Sequence, residues 1–360
     1  MEVLVYVGTY TRGRSDGVYV HRMDLASGAL RLVGKAAGGD NPSFLAAHPR
    51  RCYLYAVNEV GEFAGKPGGA VTAFSIDAET GELTYLNRQP SLGAHPCHLS
   101  VDKTGVYVLV ANYSGGSVTV LPIERDGRLG DPTDSVQHQG SSVNPQRQSG
   151  PHPHSVNLDP ANRYAFVPDL GLDKVMIYRL DLTRGKLEPN DEQPWAQVEP
   201  GAGPRHLAFH PTGKYAYVIN ELDSTLTAFT YDGTRGTLRR VQTVTALPAS
   251  FAGVSYSADV HVAPSGRFVY GSNRGHDSIV TYGIDEATGR LTYVGHEATQ
   301  GRTPRNFAID PTGTFLLVAN QESDSIVTFR INQETGRLAS TGCVAKVPTP
   351  VCLSIIHMSP

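Results

Sequence analysis

His154, Arg205 and Arg305 each follow a proline, and Glu221 and Arg274 each follow an asparagine, in phrases that otherwise repeat one another. Histidine and glutamate exchange protons near neutral pH, and arginine binds anions through a rigid fork of donors. Aligned by phrase, these residues fall in two columns. The column after the proline reads Ser43, Cys97, His154, Arg205, Arg305 and Val351, with Ala258 the rough equivalent in one further unit. The column after the asparagine reads Tyr10, Glu59, Tyr113, Leu170, Glu221, Arg274 and Gln321. A scaffold position should repeat, and these do not. A composite polar site with acid–base and anion-binding capacity is expected where the columns meet.

The phrase that carries them is a Pro-led apolar run, a tight turn, a second run ending in Asn, and a third run. It reads HPCHLSVDKTGVYVLVANYSGGSVTVLPI from His95, GPRHLAFHPTGKYAYVINELDSTLTAFTYD from Gly203 and TPRNFAIDPTGTFLLVANQESDSIVTFRIN from Thr303. The Asn or its substitute falls at Thr9, Asn58, Asn112, Asp169, Asn220, Asn273 and Asn320, roughly fifty residues apart, the period of blade or solenoid arrays. Val, Ile, Tyr, Phe and Thr fill the runs, and Gly, Pro, Asn and Asp punctuate them, as strands require. In turns such as HPTG at His210–Gly213, Pro presets φ and Gly supplies φ > 0. No 3.6-residue apolar period is sustained, so almost no helix is expected.

Seven four-stranded units in a ring bury faces that one unit cannot. VLVYVGTYT (Val3–Thr11) matches VYVLVANYS (Val106–Ser114), a second strand, and TPVCLSII (Thr349–Ile356) matches HPCHLSVD (His95–Asp102), a first strand. The expected fold is an all-β, seven-bladed β-propeller of four-stranded antiparallel blades. It forms a single domain over 1–360, in which a C-terminal strand near 349–356 completes the blade begun by residues 3–33 and removes the free edge. Start of first strand and end of second then meet at one channel mouth, and the HPTG-type turns lie at the other end. His48 and His210 belong to those turns and are structural.

Net charge is −3, which gives no basic footprint for nucleic acid. Apolar runs are too short for a membrane span, and the first residues lack the basic region of a signal peptide. Cys52, Cys97, Cys343 and Cys352 have no CxxC spacing, which suits reduced thiols in a cytoplasmic protein. The longest irregular stretch is Asp131–Pro151; loops of that length are functional or mobile.

Two tempting motifs carry less than they suggest. His152 and His154 share a face of an extended segment, as metal ligands would, but no Asp, Glu or Cys has matching spacing, so neither metal nor cofactor is expected. Gly13–Gly17 spells G-x-S-x-G, which in hydrolases requires a strand–turn–helix elbow; here a strand follows, and the segment reads as a hairpin loop. The Asn column repeats, and capping of strand ends is its structural reading. Asn273 and Asn320 nonetheless stand among the substrate-binding candidates with Arg274, Arg305, His152 and His98.

The segments GPHPHS (Gly150–Ser155), GAGPRHLAFHPTGKYAYVINEL (Gly201–Leu222), SADVHVAPSGRFVYGSNRGHDSI (Ser257–Ile279) and TPRNFAIDPTG (Thr303–Gly313) resemble the seven-bladed lactonase family, in order and in phase over essentially the whole chain. That family includes the propeller-type 6-phosphogluconolactonases and the fungal 3-carboxy-cis,cis-muconate lactonizing enzymes. The resemblance implies a metal-independent site in which His154, Arg205 and Glu221 are catalytic. Arg274 matches the SNRG arginine, at a place where loop lengths vary in the family. A lactonase needs an activated water, positive charge at the forming oxyanion and a proton for the leaving alkoxide. His154 or Glu221 supplies the base, Arg205 the oxyanion contact, and Arg274 and Arg305 grip a phosphate. The implied partner is a small anionic lactone or sugar phosphate, without nucleic acid or membrane, on a monomer or weak homodimer. The same groups would serve a cycloisomerase, and a non-catalytic binding propeller is the contrasting class.

Overall fold

The computed structural model describes residues 2–11 and 13–357. Seven sheets follow one another in chain order, each running from an inner to an outer strand. Blades 1 to 6 span residues 45–90, 96–137, 157–197, 204–245, 256–298 and 304–346. Blade 4 shows the pattern: Pro204–Phe209, Tyr215–Asn220, Thr225–Asp232 and Thr237–Thr245, paired antiparallel in that order. Blade 7 is the clasp. Its inner strand is Pro350–Ile356, paired with Glu2–Thr9, and Val18–Asp24 and Leu30–Ala36 continue outward. Among the described residues the only helix is a single 3₁₀ turn, Gln321–Ser323, and no helix is long and apolar enough to cross a membrane.

The core lies between blades. Seven apolar clusters each join two neighbouring blades, such as Phe166, Val175, Ile177, Val218 and Phe229 between blades 3 and 4. The clusters uniting blades 6 with 7 and 7 with 1 close the ring. Middle strands pack on both faces, so Tyr107–Asn112 is buried throughout, whereas the outer strand Leu338–Lys346 faces solvent at nearly every second residue. Each fully buried Val, Leu, Ile or Phe contributes about 1.5–3 kcal/mol.

Blade 3 departs from the expected four strands. Its inner strand shrinks to Asn157–Leu158, and a fifth strand, Trp195–Gln197, pairs beside Lys186–Pro189 on the same partner, Lys174–Asp181. The irregular stretch expected over Asp131–Pro151 also resolves in part: Asp134–Gln137 is the outer strand of blade 2. Gly13 and Gly17 lie in the hairpin between Glu2–Thr9 and Val18–Asp24, where Thr9 Oγ1 donates to the Gly17 carbonyl.

Candidate active site

Five of the seven inner strands enter the mouth through a kink at the residue before a proline. Asn41, His95, Gly203, Thr303 and Thr349 all have positive φ there. For a β-branched threonine this conformation costs on the order of 1–3 kcal/mol, so something must hold it. Buried or hairpin aspartates do: Asp173 accepts the Gly203 N–H at 2.7 Å, Asp277 that of Thr303 at 2.8 Å, and Asp324 that of Thr349 at 2.7 Å. These kinks set the residue after each proline, in the first column, against one cavity, which Ser43, Cys97, Arg205, Arg305 and Val351 line.

Glu221 is the hub. Its Oε2 accepts from Arg205 Nε at 3.0 Å and lies 2.9 Å from an Arg274 NH2 and 4.0 Å from His154 Nε2. Its Oε1 accepts from Arg147 NH2 at 2.6 Å. Burial alone would raise the carboxyl pKa, but Arg274, Arg205 and Arg147 hold it down at about 2. His154 is buried beside Cys97, whose Sγ is 3.6 Å from Nδ1. Burial, then Arg205, His206 and Arg305, keep its pKa well below the usual imidazole range, so the ring is neutral. Burial with Arg274 and Arg305 lowers Arg205 to about 10, which leaves it charged at neutral pH.

A second cluster adjoins the hub. Glu59 accepts from Tyr10 Oη at 3.0 Å and from Ser43 Oγ at 2.5 Å. Arg305 lies over the Tyr10 ring, 5.5 Å from its centroid. Among the described residues it finds no hydrogen-bond acceptor, and it lines a cavity with Glu59, Cys97, Arg205 and His206. Burial opposes its charge, yet Tyr10, Glu59 and Glu221 raise its pKa above the ordinary arginine value.

His154, Arg205, Glu221 and Arg274 therefore converge, with Arg305 alongside. His152 sits at the rim, stacked 4.6 Å from the Tyr113 ring and bonded to the Tyr113 carbonyl. Two other assignments need correction. Asn273 and Asn320 are fully buried in the walls: Asn273 Nδ2 donates to the Ala246 carbonyl and Asn320 Nδ2 to that of Thr299. They join blades and do not face a ligand. His98 is buried against Phe44, and its Nδ1 accepts from the Val156 N–H of the next blade, which makes it a brace beneath the site.

Arg147 escapes the columns because it stands in the connection from blade 2 to blade 3. It is the one Lys or Arg between Arg128 and Arg163, a signal the repeat does not weigh. Buried aspartates fix that connection as a wall. Asp169 bonds His138 Nδ1 at 2.6 Å and the His152 N–H, and Asp173 accepts from Ser142 Oγ and Gln148 Nε2. Among the described residues no three His, Cys, Asp or Glu side chains gather as metal ligands would.

Comparison with known proteins agrees with this architecture. A family model described as "Lactonase, 7-bladed beta-propeller" matches residues 4–355. A Bacillus subtilis protein named 6-phosphogluconolactonase is 41% identical over 98% of both chains. One of the same name from Formosa agariphila is 37% identical over 85% of this chain and 86% of its own. The structure of a Pseudomonas aeruginosa periplasmic gluconolactonase superposes with a TM-score of 0.93 at 36% identity, covering 100% of both chains.

Proposed function

Because the chain belongs to the seven-bladed β-propeller lactonase family, we propose that it hydrolyses 6-phosphoglucono-δ-lactone to 6-phosphogluconate. One observation carries the anionic substrate: three guanidinium groups already converge on Glu221, and a fourth, Arg305, lies beside them with no acceptor among the described residues. Such a field attracts a phosphate and repels a divalent cation.

His154 is the base in this reading. Glu221, held by three cations, is too weakly basic to take a proton from water, and its task is to fix Arg205 and Arg274. His154 Nε2 removes a proton as the water oxygen attacks the lactone carbonyl carbon. Glu221, 4.0 Å away, stabilises the imidazolium that forms, and a bound phosphate offsets the arginines, which depress His154 basicity second to burial. Arg205 receives the oxyanion. Collapse breaks the ring C–O bond, and the imidazolium returns its proton to the departing ring oxygen, which becomes the hydroxyl of the open acid. Arg274 and Arg305 hold the phosphate.

The chain is read as one domain over 1–360 that works as a monomer or weak homodimer. A phosphorylated substrate, which does not cross a bilayer unaided, places the reaction in the cytoplasm. The test is a coupled assay with freshly prepared 6-phosphoglucono-δ-lactone, with and without EDTA, beside glucono-δ-lactone. Hydrolysis well above the spontaneous rate, indifferent to EDTA and favouring the phosphorylated lactone, is expected. A rate equal to background sinks the reading.

A further inference from the structure

Arg205 has five N–H donors, and among the described residues one of its groups has no partner. Nε donates to Glu221 Oε2 at 3.0 Å. NH1 donates to the Ala258 carbonyl and to His206 Nε2, the latter at 3.1 Å. The NH2 group remains, on a side chain that lines the cavity and is 2% exposed. A guanidinium is planar, so fixing Nε and NH1 fixes the direction of NH2.

The partner of NH1 is itself defined. Arginine only donates, so His206 Nε2 accepts, and the ring proton belongs on Nδ1. Nδ1 faces Asp259 Oδ1 at 2.7 Å, the acceptor this tautomer requires. Asp259 in turn takes Asn306 Nδ2 at 2.6 Å and His261 Nε2 at 3.0 Å, so residues of blades 4, 5 and 6 clamp one buried carboxylate. Phe44, His98 and His154 hem the His206 ring at centroid distances of 6.1, 5.3 and 5.5 Å.

We propose that His206 and Asp259 are positioning residues that aim the Arg205 NH2 at the carbonyl oxygen of the substrate. For its kinetic consequence this rests on the lactonase reading; the tautomer does not. A mere brace between blades would move stability and leave turnover per folded molecule alone.

Steady-state kinetics of the intact chain on 6-phosphoglucono-δ-lactone separates the two. His206→Leu should lower kcat about tenfold to a hundredfold while KM moves less than about threefold. His206→Gln, whose amide oxygen can accept from Arg205, should recover most of that loss. A folded Leu variant with wild-type kcat overturns the proposal, as does a Gln variant no better than Leu at equal melting temperature. Should His206→Leu not fold, Asp259→Asn asks the same question, because its amide N–H favours the opposite tautomer and sets an N–H against the Arg205 donor; wild-type kcat there also overturns it. Two-bond ¹H–¹⁵N spectra of the wild type, with His206 assigned from its absence in His206→Gln, should show the Nδ1–H tautomer, and Nε2–H refutes the proposal whatever the kinetics. Failure of the wild type to hydrolyse the lactone sinks the lactonase reading instead and leaves that spectrum decisive.

Discussion

At the turn end of the channel, Asp102 accepts from the backbone N–H groups of Thr104, Val106 and Tyr107, all in its own hairpin. Asp159 and Asp310 do the same in theirs. His48 and His210 bond the turn carbonyls of Gly105 and Gly266 on the next blade at 3.1 and 2.8 Å. At the mouth, Glu221 is held by the side chains of Arg147, Arg205 and Arg274, which come from three stretches of chain. A carboxylate held chiefly by its own turn can be copied from blade to blade, even where the next blade adds a donor, as Asn162 does to Asp102 and Tyr231 to Asp159. One satisfied by cations from three stretches of chain depends instead on blades 4 and 5 and the connection between blades 2 and 3 packing together. Repetition marks structural residues here because local backbone partners are always present, and ligand-binding groups must break the pattern to be left with free valence.

That contrast can be broken in four ways. His154→Ala should reduce kcat by about a thousandfold while circular dichroism stays that of the folded ring; a folded variant with wild-type turnover refutes the division. Next comes acid. His98, His154 and His206 are held neutral chiefly by burial, His206 with a pKa of about 4. The unfolded chain takes up protons at the ordinary imidazole pKa and the folded chain does not. Their stabilisation is therefore full above about pH 6.5 and declines below it by about 1.4 kcal/mol per pH unit for each ring. Glu221 has the same sign lower down, with stability present above about pH 4.3 and lost as pH falls toward about 2. Melting temperatures should stay level from pH 7.5 to about 6.5 and drop steadily from there to pH 5, and a flat profile over the lower range would mean that the mouth is not held as described.

Smaller effects follow at the other end and at the rim. Asp102→Ala should destabilise by about 2–3 kcal/mol in urea titrations and leave kcat unchanged below the transition; lost turnover would show that the ends are coupled. Arg147→Met, which removes the half-exposed cation, should raise KM for the phosphorylated lactone about threefold to tenfold, less in high salt. An equal rise for glucono-δ-lactone would remove Arg147 from phosphate recognition.

The period and the strand alternation made the ring and its clasp legible, because each blade poses the same packing problem. His154, Arg205, Glu221 and Arg274 were legible as exceptions to it. Arg147 was not, since its connection has no counterpart in other blades to be compared with. The aspartates at 173, 277 and 324 also escaped notice: they clamp the next blade, and their partners are backbone groups some 25 to 30 residues away. Asn273 and Asn320 misled for the converse reason. A polar column at the mouth looks like a binding surface until Asn273 and Asn320 are seen donating to the Ala246 and Thr299 carbonyls.

The clasp ties the seam of the ring to its pocket. Directly after the strand Glu2–Thr9, Tyr10 takes Thr349 Oγ1 on its carbonyl and spans Glu59 and the Arg305 guanidinium with its ring and hydroxyl. Thr349 directly precedes the strand that closes the ring. Fraying at this one seam would carry Tyr10 away from both partners while six blades stay intact. If Arg305 holds the substrate as proposed, grip on the anion would be lost before any spectroscopic probe of strand content registered a change, so substrate affinity would serve as an early strain gauge for the seam.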